Sequence, residues 1–331
     1  MATDIDHRDI DRDIWEKELE DFVPSTVYDM HVHMWSDAHR GSNESPPGGL
    51  RLEIDYQDHL DWAAQLYPNR KIHYLVLATP LVGLDAEGHN NWMAAQMKAD
   101  PKSAVNMLVT PDMTPEYVAE QAKKHKFFGL KPYRSFAPDP NNGRIRDYLP
   151  ESLIEVAHDL GLAITLHMSK KTGPADPENQ QDLREYTSKY PRAKWILAHC
   201  ARAFNAFMMQ EAIHFLVDLP NIWYDTSAVN DLYSHFLLMK HEDRKRVMFG
   251  SDNIVAGCMR GKYVTWGKAW YQFEGFPNLT HCDPTPTLVI YEQLRQERQV
   301  ADMLDLTPGE IEDHFCGNAE RFIEMVRGQQ Q

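Results

Sequence analysis

Cysteine is scarce in this 331-residue chain, which has only Cys200, Cys258, Cys282 and Cys316. No two form a CxxC pair, and four are too few to staple a chain of this size, so a disulfide scaffold is excluded and reduced, mostly buried thiols are expected. Long apolar runs are missing as well. None reaches the roughly 18 residues that cross a bilayer, so no membrane partner is expected. The N-terminus MATDIDHRDIDRD is too polar and acidic for a signal peptide, and the cytoplasm is the expected location. Positive charge is in deficit, with 34 Lys+Arg against 49 Asp+Glu and a net charge of −15. That argues against a nucleic-acid or anionic-membrane surface, which needs clustered cations. It leaves room for a small anionic substrate, because a pocket on an acidic protein can be locally positive. Strict polar/apolar alternation, low-complexity linkers and internal repeats are also absent, which weighs against an antiparallel sandwich and against a second domain.

Present instead are eight short, near-continuously apolar runs: Val27–His33, Ile72–Thr79, Ala104–Thr110, Phe127–Tyr133, Leu162–His167, Trp195–His199, Asn221–Thr226 and Val247–Asp252. Each reads as a parallel strand buried on both faces. Helical periodicity fills the gaps at Asp55–Tyr67, Asn90–Ala99, Pro115–His125, Pro150–Leu160, Pro177–Lys189, Phe204–Val217 and Asp231–Met239. Prolines at first-turn positions and the glycine of HDLGLAITLH punctuate them as helix start and stop signals. Strand and helix alternating eight times predicts an α/β fold, a single-domain (β/α)8 TIM barrel over residues 27–331, with a doubly wound open sheet as the alternative. Residues 1–26 read as a charged lead-in, with a short helix over Asp13–Phe22 ended by Pro24. After the eighth run, Asn253 to Pro286 lacks clear periodicity and reads as a long functional loop. Thr287–Leu304 and Gly317–Val326 form a C-terminal helical extension.

Five potential ligands end these runs. His31 and His33 close the first, His167 the fifth, His199 the sixth and Asp252 the eighth. In a (β/α)8 barrel the strand C-termini share one face, and that face carries the active site. On a strand His31 and His33 point the same way while Val32 points opposite. Neutral imidazoles with a carboxylate suit a divalent metal, Zn²⁺ first and Mn²⁺, Fe²⁺ or Co²⁺ also. Among 16 histidines some fall near strands by chance, but four at strand ends together with Asp252 form a pattern. The competing reading is a metal-free pocket lined by satisfied histidines. The remaining histidines read as surface or packing residues.

These residues also carry a resemblance. YDMHVH looks like the strand-one DxHxH motif of the amidohydrolase superfamily. ITLH, LAHC and FGSD resemble its strand-five, strand-six and strand-eight motifs, and GNAERFIEM is similar to its NAxRLF helix. The likeness runs from about Val27 to Met325 and is closest to family-2 amidohydrolases, which include aromatic-acid decarboxylases. It implies that His31, His33, His167 and Asp252 ligate the metal, that Asp252 also takes a proton from water, and that His199 serves beside them as an acid/base or polarising group. Lys131, late in run four, is implied as a bridging second-metal ligand together with His167 and His199, or as a buried cation facing substrate. One metal is the favoured reading.

Lys131, Arg134, Lys170, Lys171, Arg202 and Arg260 follow or lie near strand C-termini, and guanidinium groups suit carboxylates. Arg134, Tyr133, Lys170, Arg202 and Asn253 are the substrate-binding candidates; Trp35, Phe136, Tyr263 and Trp266 are candidates for an aromatic wall. The expected activity is metal-dependent hydrolysis of a small carboxylated lactone, amide or ester. The alternative is a lyase: non-oxidative decarboxylation of a hydroxylated aromatic or unsaturated acid. A non-catalytic protein on a decayed barrel is the third reading, disfavoured because the ligand set is intact. Self-association into a dimer or tetramer is left open.

Overall fold

Eight parallel strands follow one another in sequence order around a barrel in a computed structural model that describes residues 5–41, 53–253, 257–273 and 280–330. They are β1 (Thr26–Met34), β2 (Lys71–Ala78), β3 (Ala104–Val109), β4 (Gly129–Pro132), β5 (Ala163–Leu166), β6 (Lys194–Leu197), β7 (Ile222–Asp225) and β8 (Val247–Met248). Each pairs in parallel with the next. The eight runs read from the sequence are therefore the eight strands, and the barrel is the observed fold. The pairing is short because residues near the strand C-termini leave the ladder to make other bonds.

Helices occupy the gaps where the periodicity placed them. Pro115–His125 matches to the residue. Thr114 caps it by accepting the Tyr117 N–H, Pro115 opens its first turn, and Lys126 ends it in the left-handed conformation. Gly161, at φ 64°, closes Glu151–Leu160 and turns the chain into β5, a conformation that suits glycine because it has no Cβ. Two segments differ from the reading. The lead-in helix begins earlier, at Asp9–Ile14, and continues as a π turn at Trp15–Leu19. It is held there by packing: Trp15 and Leu19 are buried, and Glu18 and Asp21 pair with Arg295 and Arg298 of the Val289–Met303 helix. The segment after β8, part of which (254–256 and 274–279) lies outside the described residues, contains an antiparallel hairpin, β9 (Lys262–Trp266) and β10 (Ala269–Phe273). Its two-residue Gly267–Lys268 turn was a readable hairpin signal.

Barrel closure is what brings the site together. β8 has only two paired residues, and beyond it the chain bonds to β1 instead. The Met30 N–H donates to the Phe249 carbonyl at 3.0 Å, the Asp252 N–H to the His31 carbonyl at 2.8 Å, and the His33 N–H to the Asn253 carbonyl at 2.5 Å. Gly250 sits at the tightest point. A Cβ there would stand 3.1 Å from the His31 Cβ and 3.2 Å from the Ser227 Cβ. A side chain there would press on β1 and on the chain just after β7. Gly250→Val is therefore expected to lower the unfolding free energy by about 1–3 kcal/mol through overpacking, read from the urea midpoint. An unchanged midpoint would mean that this contact has slack.

Candidate metal centre

The strand ends deliver four imidazoles and two carboxylates into one buried cluster. The His31 and His33 ring centroids lie 5.2 Å apart, those of His31 and His199 4.7 Å, and those of His167 and His199 5.0 Å. His31, His199 and Asp252 place one ligand atom each within 4.8 Å of one another. His33 Nε2 lies 3.1 Å and His31 Nε2 3.6 Å from Asp252 Oδ1. All five expected site residues thus gather at one end of the barrel. His167 stands at the edge and is the only one of them that is partly exposed.

His199 and Asp252 reach the cluster by backbone turns rather than as the last residues of strands. After Leu197 the chain enters a left-handed turn in which His199, Cys200, Ala201 and Arg202 have φ of 59°, 50°, 60° and 63°. For residues with a Cβ this costs about 1–2 kcal/mol each. Specific bonds hold it. The His199 N–H donates to Asp225 Oδ1 at 3.0 Å, the Ala203 N–H to the His199 carbonyl at 3.0 Å, and the Arg202 guanidinium to the Lys170 carbonyl. Asp252 also has a positive φ, of 60°.

The protonation pattern follows from the ring partners. His31 Nδ1 faces Asp225 Oδ2 at 2.9 Å, His33 Nδ1 the Ala78 carbonyl at 3.0 Å, His167 Nδ1 the Met168 carbonyl at 3.0 Å, and His199 Nδ1 the Ser227 carbonyl at 2.9 Å. These oxygens accept, so each Nδ1 carries its proton; Nε2 of His31, His167 and His199 then presents a lone pair, while Nε2 of His33 is hydrogen-bonded to Asp252 Oδ1. Burial, helped by Lys131, pushes the His31 pKa down to about 3 despite Asp225. Burial also lowers His199, and burial with the neighbouring His199 and Arg202 takes His167 well below the usual range. Burial alone would raise the Asp252 carboxyl, but the His33 hydrogen bond and the neighbouring His199 and His31 bring it below the ordinary value; Asp225 is likewise held ionised against burial, by His31 and His199. The lone pair of His31 Nε2 therefore faces an ionised carboxylate 3.6 Å away. Such a donor set fits a divalent cation, and partners on the far ring nitrogens orient it.

Lys131 is fully buried on β4. Its ammonium has no hydrogen-bond partner among the described residues and lies 4.9 Å from the Tyr133 ring centroid. Burial draws its pKa down to about 8, against the pull of Asp225 and Asp252. The Tyr133 hydroxyl donates to the Ala78 carbonyl, next to His33. Arg202 is mostly buried with its Nε unpartnered, and burial and Arg134 lower its pKa to about 10. Arg134 donates to the Pro140 carbonyl at 2.7 Å and to Asn141. Other candidates are engaged elsewhere. The Lys170 ammonium pairs with Glu178. Asn253 Oδ1 accepts from the Cys258 thiol at 3.1 Å. Arg260 pairs with Asp6 and Asp11 of the lead-in rather than facing the cluster. Trp35 is core, and Trp266 is 56% exposed.

The sequence reading passed over three groups. Asp225 ends β7 and orients His31 and His199 at once; its position next to the end of the run NIWYDT was the available signal. Ser227 supplies the carbonyl for His199, and its hydroxyl donates to Asp225. Phe204 stacks on the His199 ring at 5.2 Å and is itself covered by Trp270 at 4.5 Å and Tyr263 at 5.2 Å.

Burial sets the acid stability. His59 and His89 are held to about 4 chiefly by burial, as His31 is to about 3, while burial raises Asp29 to about 7. At mildly acidic pH the unfolded chain protonates the three histidines and the folded chain does not; Asp29 alone among these groups holds an extra proton when folded. Unfolding near pH 5.5 should then take up about two protons, so metal-free protein loses stability by roughly 2 kcal/mol per pH unit around that pH, and less steeply towards about 6.5 and 4. Urea midpoints measured at pH 7, 6 and 5 check this. A midpoint that is flat or rises on acidification contradicts it.

Comparison with known proteins agrees with this architecture. No curated protein matches the chain. Among solved structures, 5-carboxyvanillate decarboxylase from Sphingomonas paucimobilis is 14% identical, with TM-score 0.56 over 91% of this chain and 99% of that one. 4-Oxalomesaconate hydratase from Rhodopseudomonas palustris is 16% identical, with TM-score 0.58 over 91% and 97%. An amidohydrolase from Burkholderia multivorans is 13% identical, with TM-score 0.61 over 90% and 99%. At these identities the likeness is one of fold. The family profile described as Amidohydrolase matches residues 28–324, nearly the whole barrel, and the chain belongs to that family.

Proposed function

We propose that the chain is a metal-dependent hydrolase acting on a small carboxylated lactone, amide or ester. The observation that carries this is the ionised Asp252 carboxylate set among imidazole nitrogens, with Nε2 of His33 at 3.1 Å. The residues assigned to the cation are His31, His33, His167 and Asp252, with His199 beside them. When bound, a divalent cation acidifies water and polarises a carbonyl oxygen. Asp252 then serves as the base that takes the proton from the attacking water, and Asp225 orients the His31 ring through its Nδ1–H and anchors the His199 backbone. Arg202, through its free Nε, and Arg134 bind the substrate carboxylate on the side where His167 is partly open.

Decarboxylation is the second reading, and Lys131 is the observation that favours it. A buried ammonium without a hydrogen-bond partner among the described residues is an acid that can protonate the carbon losing carbon dioxide. A panel of carboxylated lactones and hydroxybenzoates separates the two: hydrolysis of a lactone supports the first, and carbon dioxide released from a hydroxybenzoate the second.

On the substrate so identified, Asp252→Asn is expected to cut turnover by about 10²–10⁴-fold. His31→Ala and His167→Ala are expected to lose bound metal, and His199→Ala to slow turnover while retaining it. Excess chelator should inactivate the enzyme, and Zn²⁺ or Mn²⁺ restore it. Near-normal rates in Asp252→Asn or in excess chelator would contradict the proposal, and metal loss in His199→Ala equal to that in His31→Ala would place His199 among the ligands.

A further inference from the structure

One buried side chain outside the cluster ties together the two backbone segments that carry His199's partner and Asp252. Gln293 lies on the Val289–Met303 helix and is fully buried. Its Oε1 accepts the Ala228 N–H at 2.8 Å, and its Nε2 donates to the Gly250 carbonyl at 2.8 Å and to Glu297 Oε1 at 3.0 Å. The orientation of the amide is forced. A backbone N–H needs an acceptor, and a carbonyl and a carboxylate need donors.

What those bonds hold is informative. Ala228, at φ 58°, follows Ser227, whose carbonyl fixes His199 Nδ1. Gly250 precedes Asp252 by two residues, and Asp252 too is left-handed, at φ 60°. The two segments leave the sheet ladder just before these points: its last bonds are the Asp225–Met248 pairing and the Thr226 N–H to the Met248 carbonyl at 3.1 Å, and beyond them no strand pairing joins residues 227–228 to 250–252. Neighbouring bonds fix each segment to β1 or β7: the Ser251 N–H to Asp29 Oδ1 at 2.8 Å, and the Ser227 N–H to Asp225 Oδ1 at 3.2 Å. From the helix side, Gln293 bridges one segment directly to the other.

We propose that Gln293 is a positioning residue: its carboxamide holds the segment that carries Asp252 against the one that fixes His199, and so places the Asp252 carboxylate in the cation site with His199 beside it, without touching either. This rests on reading the cluster as a cation site. A purely structural role would make Gln293 matter to helix stability and leave the site's affinity unchanged.

The test uses Co²⁺ alone as the probe, with affinity measured by chelator competition and geometry by the visible absorption of the loaded protein. Three full-length proteins are compared: wild type, Gln293→Met and Val300→Ala. Val300 is buried about two turns further along the same helix, so its truncation weakens packing without reaching residues 228 or 250. Gln293→Met is expected to bind Co²⁺ about 10-fold or more weakly, with an altered spectrum, while Val300→Ala binds as wild type does. Wild-type affinity and spectrum in Gln293→Met would overturn the proposal, as would an equal loss in Val300→Ala. If Gln293→Met does not fold, Gln293→Glu is read instead; it keeps an acceptor for Ala228 but has no donor for Gly250, and wild-type binding by it would likewise overturn the proposal. Failure of wild type itself to bind Co²⁺ would defeat the underlying cation reading, an outcome distinct from the others.

Discussion

The structure depends on one electrostatic arrangement: imidazole nitrogens and an ionised carboxylate pointed at one another in a largely buried space. Each ring's Nδ1–H is committed to an oxygen, leaving Nε2 of His31 facing Asp252 Oδ1 at 3.6 Å with no proton between them, beside the His33 Nε2 hydrogen bond to the same oxygen. Facing acceptors repel, and burial makes that repulsion more costly than it would be in water. A divalent cation turns the same geometry into attraction. The depressed histidines and the ionised Asp225 are parts of the same arrangement, since protonating the rings would deny the cation its ligands.

Holding that arrangement takes more than a regular barrel. β8 pairs over two residues, and β6 stops at Leu197, before the histidine it would otherwise carry. Beyond these points the chain departs from sheet geometry, through the left-handed run from His199 to Arg202 and the positive φ of Asp252. Such conformations persist where surrounding bonds over-determine them, and they cluster at functional sites. Here the surrounding bonds are identifiable: Asp225 to the His199 N–H, Ser227 to its ring, the His31 carbonyl to the Asp252 N–H, and Gln293 across the two segments. Residues three apart on the left-handed turn serve neighbouring places, His199 within the cluster and Arg202 at its partly open edge beside His167.

Much of this was legible in the sequence because buried parallel strands are read from composition alone. Eight apolar runs became eight strands, and the histidines at their ends converge because a barrel has one C-terminal face. What escaped reading was set by contacts distant in sequence. Asp225 looked like any strand-end residue until His31, from the other side of the closure, came within 2.9 Å of it. No local propensity announces four left-handed residues in LAHCARAF; tertiary bonds impose them. Arg260 was grouped with pocket cations by its place after strand eight, but the lead-in's Asp11, some 250 positions away, claims it. The hairpin at Lys262–Phe273 was the one local signal missed, since alternating residues around Gly267–Lys268 lay inside a segment read as loop.

Anomalous diffraction at a metal absorption edge, from crystals grown with Zn²⁺, tests the central claim most directly. The account predicts one strong peak among His31, His33, His167 and the Asp252 carboxylate, and no second peak beside Lys131. Its contradiction would be an empty cluster in crystals that hold the ion elsewhere, or side chains rearranged so that those groups no longer converge.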